Sequence, residues 1–234
     1  MNNIETVLKE NNYPGRGIII GKSLDGKKAV FAYFIMGRSV NSRNRIFVEK
    51  NSEVTIFPYD SSLVSDPSLI IYSPVRQLGN NIIVTNGDQT DTIYSFIEKG
   101  KTFEDALNTR CFEPDSPNFT PRISGIINFD GKNFNYKLSI LKCADTEGKN
   151  CNRNYYNYEP VSGIGHFIHT YKSDGNPLVS FEGEPTKVQI PSDINLFADG
   201  IWNALNFDNK ISLYVKYIDL ETKCCETKLY NKNN

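Results

Sequence analysis

The residues best suited to chemistry lie between Thr85 and Arg122 and in four arginines upstream. Thr85-Asn86-Gly87-Asp88-Gln89-Thr90-Asp91-Thr92 sets amide, carboxylate and hydroxyl groups at the end of one apolar run. Glu113-Pro114-Asp115-Ser116-Pro117-Asn118-Phe119-Thr120-Pro121-Arg122 sets a similar group ahead of the next. Upstream, Arg16 sits between two glycines in Tyr13-Pro14-Gly15-Arg16-Gly17, and Arg38, Arg43 and Arg45 close together in Gly37-Arg38-Ser39-Val40-Asn41-Ser42-Arg43-Asn44-Arg45. A guanidinium is planar and forks onto oxygens, so arginines in polar turns beside strands suit an anion such as phosphate. A solvated polar turn accounts for the same pattern. Pro114, Pro117 and Pro121 stiffen the segment that carries Glu113 and Asp115. Stiffness suits general acid–base work, which needs pre-organised groups, and it equally suits a rigid surface loop.

Other familiar chemistries are missing. There is no G-x-x-x-x-G-K-[ST], no G-x-G-x-x-G and no G-x-S-x-G. Thr85-Asn86-Gly87-Asp88 follows an apolar strand and precedes a helix, whose first N–H groups favour negative charge, although Asn-Gly is also an ordinary turn. His166 and His169 are the only histidines. On a strand, positions i and i+3 point to opposite faces, so the pair is not expected to hold one metal ion. Five cysteines (Cys111, Cys143, Cys151, Cys224 and Cys225) include no C-x-x-C, and they read as reduced thiols. Tyr155, Tyr156 and Tyr158 read as packing, and Trp202 as core.

The elements that position these residues follow from periodicity. Ile4, Val7 and Leu8 mark a short helix over residues 4–11, ended by Pro14-Gly15. Strands are expected over 17–21 and 28–36, joined by Asp25-Gly26, and over 45–49, 53–58, 69–72 and 81–85. A helix is expected over 92–99, and Thr102-Phe103-Glu104-Asp105 opens a second through Arg110 as a capping-box variant. A strand pair over 122–129 and 135–141 turns at Asp130-Gly131. Residues 144–157 read as a surface loop, 163–171 as a strand, 192–205 as a helix, 211–220 as a strand, 223–230 as an edge strand and 231–234 as a frayed end. Hairpins dominate and helices cluster, which means an α+β fold of mainly antiparallel sheets, as two sheets between helix layers in one domain spanning residues 1–234.

The 234 residues carry a formal net charge of −1, so no general attraction to nucleic acid or anionic membrane is expected. No basic-then-apolar leader opens the chain and no apolar stretch is long enough to span a bilayer, so a cytoplasmic protein is expected. The strands over 211–220 and 223–230 could pair across a homo-oligomer interface or be shielded within the chain.

These segments together resemble the archaeal-type IMP cyclohydrolase family. The resemblance rests on Tyr13-Pro14-Gly15-Arg16-Gly17, Gly37-Arg38-Ser39 with Asn44-Arg45, Asp66-Pro67-Ser68-Leu69-Ile70-Ile71-Tyr72, Thr85-Asn86-Gly87-Asp88-Gln89-Thr90-Asp91, and Asn118-Phe119-Thr120-Pro121-Arg122, in that order. It runs through residues 13–127, with weaker similarity over 163–171. It implies an Ntn-hydrolase-like four-layer α-β-β-α sandwich. It also implies the last step of de novo purine synthesis, closure of the formamido-imidazole-carboxamide ribotide to IMP with loss of water, with no metal or nucleotide cofactor. The family needs no amino-terminal nucleophile, which suits Met1-Asn2-Asn3. On this reading Arg16, Arg38 and Arg45 hold the phosphate, and Asp88, Glu113 or Asp115 is the base. Tyr72 or Arg122 donates to the developing oxyanion, Asn86 and Asn118 orient the carboxamide, and Thr120 and His169 join the substrate contacts. The alternatives are a non-catalytic purine-nucleotide-binding protein on the same scaffold and an amide hydrolase of Ntn type. The residues before Tyr13 and the length of the 144–157 region depart from the family; a loop there that covers the site would alter substrate preference.

Overall fold

Alternation along the strands builds two opposed faces. The computed structural model describes residues 2–63 and 71–233. In β1 (Arg16–Lys22) and β2 (Lys28–Met36), Ile18, Ile20, Phe31, Tyr33 and Ile35 join one buried cluster, while Ile19, Val30, Ala32, Phe34 and Met36 join another. Successive side chains on a strand point to opposite faces, so apolar residues at every position mean a sheet covered on both sides. β10 (Ile164–His169), β11 (Thr186–Gln189), β12 (Lys210–Asp219) and β13 (Cys225–Asn231) complete a six-stranded sheet of order β11-β10-β1-β2-β12-β13.

The second sheet is a seven-stranded meander in chain order: β3 (Ile46–Lys50), β4 (Glu53–Phe57), β5 (Val75–Leu78), β6 (Asn81–Thr85), β7 (Arg122–Asp130), β8 (Asn133–Cys143) and β9 (Cys151–Tyr158). Neighbouring strands pair antiparallel in both sheets. One apolar cluster takes residues from both sheets, among them Phe31 and Tyr214 of the first and Ile56, Val84 and Leu138 of the second. Truncating a fully buried member such as Phe31 to Ala would cost about 3–5 kcal/mol.

Helices pack on the remaining faces. α1 (Ile4–Glu10) and α5 (Ile194–Ala204) place Ile4, Leu8, Phe197 and Ile201 with Ile19, Phe34 and Val215 of the six-stranded sheet. α3 (Gln89–Glu98) and α4 (Phe103–Asn108) place Ile93, Phe103 and Leu107 with Ile83, Ile126 and Leu141 of the other. The Thr102–Asp105 capping box is present with both reciprocal bonds. A one-turn α2 (Val40–Arg43), absent from the sequence reading, is capped by Ser39.

Several expectations are corrected. Residues 151–158 are not loop but β9, paired residue for residue with β8 from Tyr136↔Tyr158 to Cys143↔Cys151. The asparagines suggested a loop, yet β9 is a sheet edge, where polar residues protect unpaired backbone. Only the excursion over 144–150 remains a turn, organised by Asp145, which accepts from the amides of Glu147, Lys149 and Asn150. The strand expected over 69–72 lies partly outside the described residues; Ile71 and Tyr72 are not in a strand, and β5 comes later. α3 starts at Gln89, earlier than residue 92, because Thr85 and Thr90 close the turn on the Gly87 carbonyl. β11 was unmarked, having one buried side chain, Val188. Of the end expected to fray, Asn234 lies outside the described residues and 231–233 are held: the Asn231 side chain bonds both backbone groups of Phe47, and Asn233 donates to the Arg43 carbonyl.

Candidate active site

Arg16 opens β1 and Arg45 immediately precedes β3, so the two sheets each deliver one guanidinium to a shared corner. The turn before Arg16 depends on Gly15, whose φ of +77° suits glycine. A Cβ there would lie 2.3 Å from Thr170 Oγ1 and 2.5 Å from the Tyr171 ring. Thr170 Oγ1 accepts from the Arg16 amide at 3.1 Å and donates to the Pro14 carbonyl at 3.1 Å, which fixes where Arg16 leaves the strand.

Tyrosines surround the guanidiniums. Tyr33 is Ile18's neighbour across the β1–β2 ladder and stacks on Phe47 at 5.5 Å. Its hydroxyl lies 3.5 Å from that of Tyr72, which donates to the Asn86 carbonyl at 2.8 Å. Tyr171 stacks on Tyr13 at 5.9 Å and bonds Thr120 through its hydroxyl at 2.7 Å. Asp115 in turn accepts from the Thr120 amide and hydroxyl, so the proline-bearing loop is clipped to Tyr171. Glu113, whose amide bonds the Thr120 carbonyl at 2.9 Å, adds a carboxylate to the field of Arg16, Arg45 and Tyr72. Among the described residues its carboxylate has no hydrogen-bond or ion-pair partner.

The electrostatics of the corner are set by two neighbouring guanidiniums and the groups around them. Burial lowers the proton affinity of Arg45, Arg16 lowers it further, and Tyr72, Tyr33 and Glu113 offset this only in part. Burial also acts against the Arg16 charge, but Tyr171, Tyr13, Tyr72 and Glu113 outweigh it and the net shift is upward. Burial raises the Tyr72 phenol, against the pull of Arg45 and Arg16, so it stays protonated and able to donate. Among the described residues, the buried Arg45 Nε has no hydrogen-bond partner. A buried donor left unmade costs about 1–3 kcal/mol, which an oxyanion at this point would recover.

Other residues singled out in the sequence are placed differently. Asp88 lies outside this cluster, paired with Arg110 through both carboxylate oxygens at 2.6 Å and with Arg122 at 2.7 Å. Burial raises its pKa, but bonds to Arg110 and the charge of Arg122 prevail, and the net shift is downward. Arg122 also bonds Gln89 Oε1 at 2.7 Å, and its side chain is only 12% exposed. Asn86 is a clamp: Nδ2 donates to the Pro121 carbonyl, and Oδ1 accepts from the Ile123 amide and from Gln89. Asn118 Oδ1 accepts from the Leu178 amide and lines a cleft of about 530 Å³ with Lys142, Asp145 and Leu178. Arg38 bonds Asp174 and the Gly175 carbonyl and stands 5.0 Å from the Tyr13 ring centre.

The two histidines face opposite sides, as their spacing predicts. His166 bonds the Tyr136 hydroxyl at 2.6 Å and stacks on Tyr158, while His169 stacks on Phe167. His169 must donate from Nδ1 to the Tyr171 carbonyl, 2.8 Å away, since a carbonyl only accepts. Its ring therefore supports the Tyr171 backbone. No group of metal-ligating side chains gathers among the described residues.

Sequence reasoning missed Tyr33, Tyr171 and Arg110. Tyr33 and Tyr171 carried a weak signal, being polar-tipped aromatics, one within and one just after an apolar strand. Arg110 carried none, because its partner is set by tertiary placement. A cavity of about 360 Å³ lined by Ile4, Leu24, Ile190, Leu196 and Phe197 contains none of the candidate residues. Its wall is apolar apart from Asn3, Glu5 and Gln189 and holds no arginine or lysine to meet a phosphate, so the arginine corner is the better candidate.

Two antiparallel sheets that each bring an arginine to a tyrosine-lined corner define an α+β protein. The chain belongs to the IMP cyclohydrolase-like protein family, whose model matches residues 13–223. It is 33% identical over 120 residues to an IMP cyclohydrolase of Methanococcus aeolicus, covering 50% of this chain and 58% of that one. It is 37% identical over 129 residues to one of Methanosphaera stadtmanae, covering 52% and 61%. Over 211 residues it is 26% identical to one of Methanocaldococcus jannaschii, covering 88% and 94%. The first two alignments thus span about three fifths of the relatives' length, and the third nearly all. No helix among the described residues is long and apolar enough to cross a membrane.

Proposed function

We propose that this chain is an IMP cyclohydrolase, closing 5-formamidoimidazole-4-carboxamide ribotide to IMP with loss of water as the last step of de novo purine biosynthesis. The observation that carries this reading is the buried Nε of Arg45, without a hydrogen-bond partner among the described residues, in the same field as Arg16, Tyr72 and Glu113. The two arginines hold the ribotide phosphate, and Arg38 guards the Tyr13 side of the corner.

Nucleophile and electrophile belong to one substrate, so folding it into a reactive shape removes most of the difficulty; ideal intramolecular geometry is worth about 7–11 kcal/mol. Glu113 takes a proton from the carboxamide nitrogen as that nitrogen bonds the formyl carbon. Tyr72 donates to the formyl oxygen, which becomes a hydroxyl. Glu113 then gives its proton to that hydroxyl, which leaves as water, while the former formamido nitrogen returns a proton to the Tyr72 phenolate, forming the ring double bond and restoring both groups. Asp88, Arg122 and Asn86 shape the loops around this centre without touching the reacting atoms.

The four-layer α-β-β-α, Ntn-hydrolase-like arrangement in one domain belongs to the same reading. It is supported by one apolar cluster shared by both sheets and by one helix-covered cluster on each sheet. In a spectrophotometric assay with the formylated ribotide and a chelator, the wild type should form IMP. Arg45→Ala and Glu113→Gln should lose most of the activity. IMP binding without turnover would replace this reading with a nucleotide-binding one.

A further inference from the structure

Tyr72, the proton donor of the proposed reaction, has one hydroxyl proton and two oxygen neighbours. Its hydroxyl lies 2.8 Å from the Asn86 carbonyl and 3.5 Å from the Tyr33 hydroxyl. A carbonyl only accepts, so the Tyr72 proton points to Asn86. In the tyrosine pair the donor is therefore Tyr33. Among the described residues the Tyr33 hydroxyl has no other hydrogen-bond partner. Both neighbours of Tyr72 are fixed. Tyr33 lies fully buried within β2, between Ile18 of β1 and Tyr214 of β12 in the ladder, with its ring on Phe47. Asn86 is held by its side-chain bonds to Pro121 and Ile123 and by its amide on the Ile123 carbonyl.

The pair changes character when the proton moves. Once Tyr72 has given it to the formyl oxygen, a phenolate faces the Asn86 carbonyl with no hydrogen between them. Burial disfavours that charge; Arg45, Arg16 and the Tyr33 bond favour it, and Glu113 opposes it until it takes its own proton from the carboxamide. At 3.5 Å a bond between two neutral hydroxyls is weak. A hydroxyl donating to an oxyanion closes to roughly 2.5–2.7 Å and makes a bond about twice as strong. The bond thus gains most of its strength as the proton leaves, and only interactions stronger in the transition state than in the ground state speed the chemical step. Burial, then Tyr72, holds the Tyr33 phenol well above its ordinary value, so Tyr33 keeps its own proton throughout.

We propose that Tyr33 is a positioning residue of the reaction: its hydroxyl donates to Tyr72 Oη and holds the phenolate that forms as the formyl oxygen is protonated. The inference rests on the cyclohydrolase reading above. No bond of Tyr33 itself is made or broken. The proton that leaves Tyr72 goes to the formyl oxygen, and the former formamido nitrogen later replaces it.

The test compares steady-state kinetics and IMP affinity of the full chain as wild type, Tyr33→Phe, Tyr72→Phe and the double variant. Tyr33→Phe deletes one oxygen and keeps the ring on Phe47. Melting temperature, KM and IMP affinity should therefore hold while kcat falls by about 10- to 150-fold, the factor carried by a hydrogen bond to a charged group. In the Tyr72→Phe background the second substitution should cost nothing further, because Tyr33 acts only through the Tyr72 oxygen. An equal cost in both backgrounds, a KM or IMP affinity that shifts in step with kcat, or an unchanged kcat in Tyr33→Phe would overturn the inference and leave the cyclohydrolase reading standing. A wild type that makes no IMP would overturn both.

Discussion

Arg16 and Arg45 come from different sheets into one corner, and there the charge of Arg16 depresses the proton affinity of Arg45. Tyr171 and Tyr13, with Tyr72 and Glu113, more than offset burial at Arg16, whereas Tyr72, Tyr33 and Glu113 do not offset it at Arg45. Two like charges held together, with one buried donor lacking a partner among the described residues, are a cost to the fold that the proposed phosphate contact would offset.

Replacing Arg45 by Met should therefore leave the ligand-free melting temperature unchanged or slightly higher, since a buried unpaired donor and a like-charge repulsion both go. Affinity for IMP should fall by about 10- to 150-fold, the equivalent of the ~1.5–3 kcal/mol of a hydrogen bond to a charged group. Thermal shifts with and without IMP separate the two effects. A large loss of ligand-free stability would show that Arg45 is a structural residue.

Glu113 and Asp88 should behave as opposites. Glu113→Gln removes the unengaged carboxylate of the corner, so kcat should drop by about 10²- to 10⁴-fold with IMP binding largely kept. Asp88→Asn breaks pairs to Arg110 and Arg122 and should keep kcat within about tenfold, far short of the loss expected of a general base. Its effect is on stability, about 1 kcal/mol or less because Asp88 is 59% exposed. The Asp88 contribution is full above the unfolded pKa of 3.8 and is lost as pH falls through the depressed folded value, because in that window only the unfolded chain binds the proton. Steady-state kinetics and acid unfolding of both variants check this.

How far the chain could be read in advance depended on whether a signal was local. The paired faces of residues 28–36 and the capping box at Thr102 are written in short periodicities and side-chain types, and the structure carries them. Arg16 and Arg45 could be singled out because they sit in or beside polar turns, and Tyr72 because it ends a segment that resembles the family. That Asp88 binds Arg110, or that Asn86 holds the strand at Ile123, depends on how loops far apart in sequence meet. β9 escaped for a related reason: its asparagines are polar because one edge faces water, and only pairing with β8 makes it a strand.

Acid should weaken the fold well before the carboxylates protonate. Burial pushes both His166 and His169 down to about 4, with Lys187 adding to the effect at His166 and the Tyr171 carbonyl opposing it at His169. Between the ordinary value of 6.5 and about 4 the unfolded chain binds a proton that the folded chain refuses. Stability is thus full above 6.5 and declines as pH falls through that window. Urea midpoints at neutral pH and at the acid end of the window should differ by about 1–3 kcal/mol in the wild type, and by less in His169→Gln. A flat profile would mean that both rings titrate normally.

Gly15→Ala tests whether the backbone turn, rather than the guanidinium itself, sets the site. The new methyl group would need φ of +77° and would press to 2.3 Å from Thr170 Oγ1 and 2.5 Å from the Tyr171 ring. Tyr171 cannot yield without leaving its stack on Tyr13 and its bond to Thr120, and Thr120 is what the Asp115 carboxylate holds. Strain should pass from the turn into the Glu113 loop, costing about 1–3 kcal/mol of stability. It should also lower kcat in a protein that keeps every proposed catalytic group. Tyr171→Phe supplies the control, for it removes only the hydroxyl bond to Thr120 and leaves the ring stack and the turn intact. If Gly15→Ala loses activity and Tyr171→Phe retains it, the ring's position matters and its hydroxyl does not; if both lose it equally, the Thr120 link is what aligns Glu113.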